Sequence, residues 1–423
     1  MRKMHQPSLL DPTEHAEHAT VASLASGAWA PTREAALARL AQVHPGAYAR
    51  TRNALNGAVS GLSPYITHGF LSLHEALARV HARHPLDVQH KWVYELGWRA
   101  FFHHAWAHRG QGIFQSIHEG PLPDAAYVRE LPADIVQGCT GVPVIDQAVR
   151  TLYRTGYLHN HARMWLASYV VHVRKVHWRA GADWLYAHLL DGDLASNHLS
   201  WQWVAGTGSH KPYLFNAENV ARYAPAEWHS PGTVIDTDYD TLDRMARHVR
   251  PLQPFTGQRR FDPVVEPLQP PDLMTAPPTS WGFAPPDAQA VAGREVFLVH
   301  PWCLGPLPSV VTADTVVVAM CLSEFHQARP WSPVRWQFVG ERMAGLTPLR
   351  WHGSLAQVKD ALRGARRVVS VTDPHLKPWL PTLADCLPPT ALFPHVARPC
   401  HSFSQWWREA TRGIDSVDAL LAA

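Results

Sequence analysis

Charge and cysteine are both scarce in this chain. Asp, Glu, Lys and Arg make up 17% of its 423 residues, and the net charge is +3 with histidines neutral. So slight a balance permits a polyanionic partner without demanding one. The five cysteines stand at 139, 303, 321, 386 and 400. Their number is odd and none forms a CxxC pair, which argues against a disulfide framework or a closed zinc site. Only Cys139 lies in the first 230 residues, so no four-cysteine iron–sulfur cluster is expected there. No run of ~20 apolar residues occurs, and no membrane span is expected. The opening MRKMHQPSLLDPTEHAEHAT has no apolar signal core, so a reducing cytoplasm is the expected compartment. Internal repeats are not evident, and the last part of the chain carries no GxGxxG or P-loop.

What is abundant is apolar and aromatic. Hydrophobic residues reach 46%, enough for two domains with cores of their own. There are 18 tryptophans and 28 histidines. Large helical cores would use so many indoles, and so would base stacking or electron hopping. Below about pH 6.5 the histidines add positive charge.

Residues 30–230 read as mostly helical, with apolar residues at helical spacing in LSLHEALARVHA, YELGWRAFFHHAWAH, PVIDQAVRTLYRTG and HARMWLASYVVHVRKVHW. Gly110, Gly156 and Gly181 fall near expected helix ends. Residues 231–290 are proline-rich and aperiodic, as a linker or an extended surface segment would be. Then REVFLVH, DTVVVAM, TPLRWHG and RRVVSVTD read as strands, alternating with helices WSPVRWQFVGERMAGL and SLAQVKDALRGA. The expected architecture is a mostly α chain. Helical residues 1–230 precede a linker at 231–290, a smaller Rossmann-like α/β domain at 291–400 and a tail or helix at 401–423.

Four segments carry the chemistry. Asp191-Gly192-Asp193-Leu-Ala-Ser-Asn197-His-Leu-Ser-Trp201-Gln-Trp203 packs two carboxylates, an amide and two indoles together, with Gly192 read as a turn residue. Buried carboxylates are costly unless paired, so the cluster suits a polar aromatic cofactor better than a core. Tyr48-Ala-Arg-Thr-Arg52-Asn, followed by Val59-Ser60-Gly61-Leu62-Ser63-Pro, offers hydroxyls and backbone N–H groups for a diphosphate. Read alone, the same turn is an ordinary serine cap. In Trp92-Val-Tyr-Glu95-Leu-Gly-Trp98-Arg99, residues 92, 95 and 99 share one helical face. Thr140-Gly141-Val-Pro143-Val-Ile-Asp146 leads to Gly156-Tyr-Leu-His159-Asn160-His161-Ala-Arg163-Met164, where Asn160, Arg163 and Met164 share a face. His159, His161, His104 and His108 lack a carboxylate or cysteine partner at metal-site spacing, so no metal is expected.

In this order the four segments resemble the FAD-binding region of the DNA photolyase and cryptochrome family. The resemblance implies FAD as cofactor. Tyr48 and the 59–63 turn would hold its phosphates, with Arg52 nearby toward DNA; the family's turn threonine and arginine are missing here. Trp92 would lie against the flavin, Glu95 would bond a flipped pyrimidine, Trp98 would stack on it, and Arg99 would face cofactor or DNA. Asp191 would pair with Arg163, Asp193 and Gly192 would border the cofactor, and Asn197 would face the flavin N5. Asn160 and Met164 point to cyclobutane dimers, because (6-4) enzymes carry His at both places; His161 flanks the DNA. Trp203 matches a lesion-stacking position. Trp201 and Trp178 match the first two members of an electron chain. The third should fall within residues 111–131, which contain no tryptophan; Tyr127 or another indole is the substitute.

The C-terminal pieces VFLVHPWCLG, RPWSPVRWQFVGERM and PLRWHGSLAQVKDAL resemble the family's antenna-binding α/β domain, placed last instead of first. The sequence names no antenna pigment. The implied function is light-driven repair of UV-damaged DNA by a monomer: reduced FAD gives an electron to a flipped-out cyclobutane pyrimidine dimer, which splits. A non-repairing FAD photoreceptor would share most of these residues. A third reading, an α/β nucleotide-binding protein with a passive helical part, is disfavoured by the missing phosphate loops.

Overall fold

The structure is a computed structural model describing residues 29–249 and 266–423. Of the segment read as a linker, residues 250–265 lie outside the described residues, as do the first 28.

The helices that frame the cavity start and stop where their caps dictate. Lys91–Arg109 begins at His90, whose Nδ1 accepts from the Trp92 N–H, and ends at Gly110 with φ +53°. Pro143–Thr155 opens on proline and closes on left-handed Gly156. Asp146 reaches back to accept from Thr140 N, Thr140 Oγ1 and Gly141 N at 2.7, 2.8 and 3.1 Å. The Thr-Gly-x-Pro-x-x-Asp signature therefore builds a local cap and stands away from the cavity wall.

Asn160–Ser168 runs into one wider π turn, Tyr169–Val173. Trp178–His188 follows, with Gly181 inside it. Gly181 was expected at a helix end. It is mid-helix because the Trp201 ring lies against it, leaving no room for a Cβ. Leu194–Ala205 is capped by Asp193 and ended by left-handed Gly206. It is buried nearly all round, as a central helix must be.

A parallel sheet of five strands follows, in the order β3-β2-β1-β4-β5. They are β1 Glu295–Val299, β2 Val316–Leu322, β3 Arg350–Gly353, β4 Arg367–Val371 and β5 Asp385–Leu387. Val296 at the centre pairs with Val316 on one side and Val368 on the other. Such doubly covered strands are short apolar runs. Open α/β sheets take ligands in the crevice beyond the strand ends, and Trp302 and His375 follow β1 and β4 there. Trp302 stacks on His375 with centroids 4.3 Å apart and planes 7° apart.

The packing does not divide where the composition does. One core joins residues 29–113 and 186–199 to the whole sheet region and the C-terminal helices. A second core gathers residues 135–235. The proline-rich segment holds the helix Tyr239–Ala246. Beyond it the chain lies extended against both parts: Leu268 N donates to Gln137 O, Met274 and Trp331 exchange two bonds, and Ala284 N donates to Arg350 O. The tail contains two helices, Phe403–Ala410 and Val417–Ala422. No helix among the described residues is long and apolar enough to cross a membrane.

Candidate functional site

A cavity of about 320 Å³ opens in the helical region, within the range that small-molecule and cofactor sites occupy. Its wall is drawn from residues 48–204, and all four sequence segments contribute. Tyr48, Ser60, Leu62, Ser63, Trp92, Glu95, Trp98, Arg99, Asn160, Arg163, Met164, Asp191, Asp193, Asn197 and Trp201 line it. Val59, Gly61, Gly192, Arg52, His161, Trp178 and Trp203 are not part of the wall.

The floor is electrostatic. Arg163 Nη2 donates to both oxygens of Asp191, at 3.0 and 2.8 Å, and its Nε donates to Leu158 O at 2.8 Å. Its guanidinium lies 5.4 Å from the Tyr157 ring centroid. Asp193 is 1% exposed and fully engaged. Its Oδ1 accepts from Ser196 N at 2.8 Å, while Oδ2 faces His103 Nε2 at 2.8 Å and Arg99 Nη2 at 3.5 Å. Burial alone would raise this carboxyl; His103, Arg99 and His375 overcome it and hold the pKa well below the ordinary value.

Asn197 Nδ2 donates to Ala182 O at 2.8 Å. The assignment of the amide is fixed by that carbonyl, which can only accept. The side-chain oxygen of Asn197 and its second N–H are left to bind a ligand. Ser196, also in the wall, has a buried hydroxyl with no partner among the described residues, a group that a polar ligand would satisfy. Gly61 turns the chain at φ +59°, and Ser63 begins a five-residue helix whose cap, Leu62, uses no side chain. The serines are therefore not consumed as caps. Gly192 has no positive φ; its neighbours Arg335 and Tyr186 leave no space for a Cβ. Room, rather than the turning expected from the sequence, requires glycine there.

The mouth carries Glu95, Trp98, Asn160 and Met164. The Glu95 side chain is 46% exposed and 3.6 Å from Arg52 Nε. Its crowded surroundings raise the carboxyl, and Arg52 and Lys91 pull it back. Asn160 Nδ2 meets Met164 Sδ at 3.5 Å. Trp98 lines the cavity and stacks on Phe403 at 4.1 Å with planes 11° apart. His161 packs between Trp165 and Tyr223. Trp203, 43% exposed, lies beside Tyr213 at 5.7 Å.

Trp201 is in the wall, and Trp178 belongs to the same core. The Trp178 N–H donates to Ser116 Oγ at 2.9 Å. His177 lies 5.6 Å from Trp178, and Tyr127 meets His177 edge-on at 6.4 Å. Burial pushes the Tyr127 phenol up to about 12.

Sequence reasoning missed Tyr157, Ser196 and His103. His103 had a usable signal, since it follows Arg99 by four residues on one helix. Tyr157 and Ser196 had none beyond adjacency to the motifs.

Residues 92–235 match the family model described as the FAD binding domain of DNA photolyase. A deoxyribodipyrimidine photo-lyase of Synechococcus sp. is 32% identical over 216 residues, 47% of this chain and 42% of its own. A photo-lyase of Streptomyces griseus is 37% identical over 155 residues, 36% of this chain and 33% of its own. A cryptochrome DASH of Natronomonas pharaonis is 37% identical over 156 residues, again 36% and 33%. A solved Synechocystis cryptochrome is 29% identical, covers 45% of this chain and 43% of its own, and superposes with a TM-score of 0.40. The chain thus spans less than half the length of these relatives. Residues 92–235 are similar to the FAD-binding domain of DNA photolyases.

Proposed function

We propose that this protein is a light-driven DNA repair lyase that splits cyclobutane pyrimidine dimers. The observation that carries the reading is the convergence of four separated segments on one cavity with a charged floor and an aromatic mouth. FAD, reduced and excited by light, would supply the electron that opens the dimer. The residues present fit that group. Ser60 and Ser63 would hold its phosphates, Arg163 and Asp191 its polar face, and the Asn197 oxygen a ring N–H.

The protein's own part is to hold, orient and exclude water. Trp98 gives a flipped base an aromatic face, which such bases exploit at about 1–3 kcal/mol each. Glu95, with its carboxyl raised, can bond a pyrimidine edge. Asn160 and Met164 set the shape of the mouth, and by their resemblance to the cyclobutane type they favour that lesion over the (6-4) product. Arg52 beside Glu95 offers a cation to the DNA backbone.

The test is illumination of the reduced protein with oligonucleotides holding either lesion. Recovery of thymine absorbance with the cyclobutane dimer supports the reading. Repair of only the (6-4) product reverses the lesion assignment. Repair of neither moves the protein to the photoreceptor class.

A further inference from the structure

We infer that Arg335 is a positioning residue for the loop that carries Asp191 and Asp193, so that the sheet region keeps the helical region fit to bind flavin. The inference rests on the flavin reading of the cavity. Arg335 stands on the helix Pro333–Ala344, far from the cavity in sequence and absent from its wall. It is completely buried. Its Nη2 donates to Gly192 O at 2.6 Å and its Nη1 to Tyr186 O at 3.0 Å. The guanidinium carbon lies 4.0 Å from the Trp331 ring centroid and 4.7 Å from that of Tyr186.

A buried charge is a poor way to gain stability. What Arg335 does provide is a planar, rigid fork of donors. That fork fixes where the Gly192 carbonyl points, and Gly192 is the residue between the two carboxylates. With its carbonyl drawn toward Arg335, Asp191 is left to meet Arg163, and Asp193 to meet His103 and Arg99, on the cavity side. The missing Cβ of Gly192 is the space the guanidinium uses.

The neighbouring backbone groups are tied in the same manner. His68 Nε2 lies 2.8 Å from Leu190 O, and its Nδ1 lies 2.6 Å from Pro301 O at the end of β1. His375 accepts from Leu194 N at 3.3 Å and is itself held by Asp373 at 2.7 Å. Leu190, Gly192 and Leu194 are thus clamped at alternate positions, and two of the three clamps come from the sheet region.

The experiment compares Arg335→Met and Arg335→Lys with Val339→Ala, a fully buried position on the same helix that leaves the loop's bonds intact. Amide hydrogen exchange is followed in the flavin-free protein, and FAD affinity is measured separately. Arg335→Met should speed exchange at residues 192–194 by at least about tenfold and weaken FAD binding by a similar factor, with Arg335→Lys intermediate. Val339→Ala should leave both as in the wild type even where it lowers the melting temperature. Wild-type loop protection in Arg335→Met, or equal loss in Val339→Ala, overturns the inference. A wild type that takes up no FAD overturns the flavin reading instead, and the exchange data still decide the role of Arg335.

Discussion

The side-chain amide of Asn197 is anchored on the carbonyl of Ala182, one helix away, at 2.8 Å. Its oxygen is left out of that bond and can accept from a ligand in the cavity. An acceptor favours a ligand that carries a proton at the facing nitrogen. Asn197→Leu should therefore keep FAD but let reduced flavin reoxidise in air several times faster. Reoxidation at the wild-type rate would remove Asn197 from the cofactor's reactive edge.

Asp193 gives a pH signature. Its carboxyl is held well below the ordinary value, so it binds fewer protons folded than unfolded. The stability it adds is present above the unfolded pKa near 3.9 and is lost as pH falls toward the folded one. The flavin-free wild type should lose stability steeply below about pH 4. Asp193→Asn should be less stable at neutral pH and flatten that acid limb. An unchanged limb in acid denaturation would show that other carboxylates produce it.

Trp98 and Trp203 both matched base-stacking positions, yet only Trp98 lines the cavity. Trp98→Ala should lose about 1–3 kcal/mol of affinity for lesion-bearing DNA, with the flavin spectrum unchanged. Trp203→Ala should lose less. A larger loss at Trp203 would place the DNA-contacting face around the exposed end of the Leu194–Ala205 helix, beside Tyr213.

Trp201→Phe should abolish photoreduction from oxidised FAD while leaving repair by chemically reduced protein intact, because repair draws no electron through the indoles. Tyr127→Phe should slow photoreduction, since His177 bridges Tyr127 to Trp178. Transient absorption would show the phenoxyl signal missing in that variant. Wild-type kinetics in both variants would leave these aromatics as packing alone.

The parts of this molecule that sequence discloses are those whose cause is local. VFLV and VVVAMCL are apolar runs of strand length, and strands form there. β5 is three residues beside prolines, too short to leave a pattern. Gly181 looked like a helix end because the partner that demands a glycine, Trp201, is 20 residues away and on another helix. The cavity residues were legible through four motifs, since each motif keeps its face on one helix or turn. The reach of Arg335 and His68 to the site was not, because what they bind is backbone carbonyl, and a carbonyl reached across the fold has no letter in the sequence. Trp203 shows the converse: a motif position can be matched while the side chain stands exposed outside the cavity wall.

The continuous core has a thermodynamic consequence. Helices at residues 29–113 share it with the sheet and with Phe403–Ala410, so these parts cannot melt separately without exposing a common interior. Ligand occupying the cavity stabilises the native state by RT ln(1 + [L]/Kd), and that gain is distributed to every element in the same cooperative unit. Protection of β1 and β2 amides should then rise with FAD concentration. The sheet, which touches none of the cavity, becomes the gauge of whether the cavity is filled.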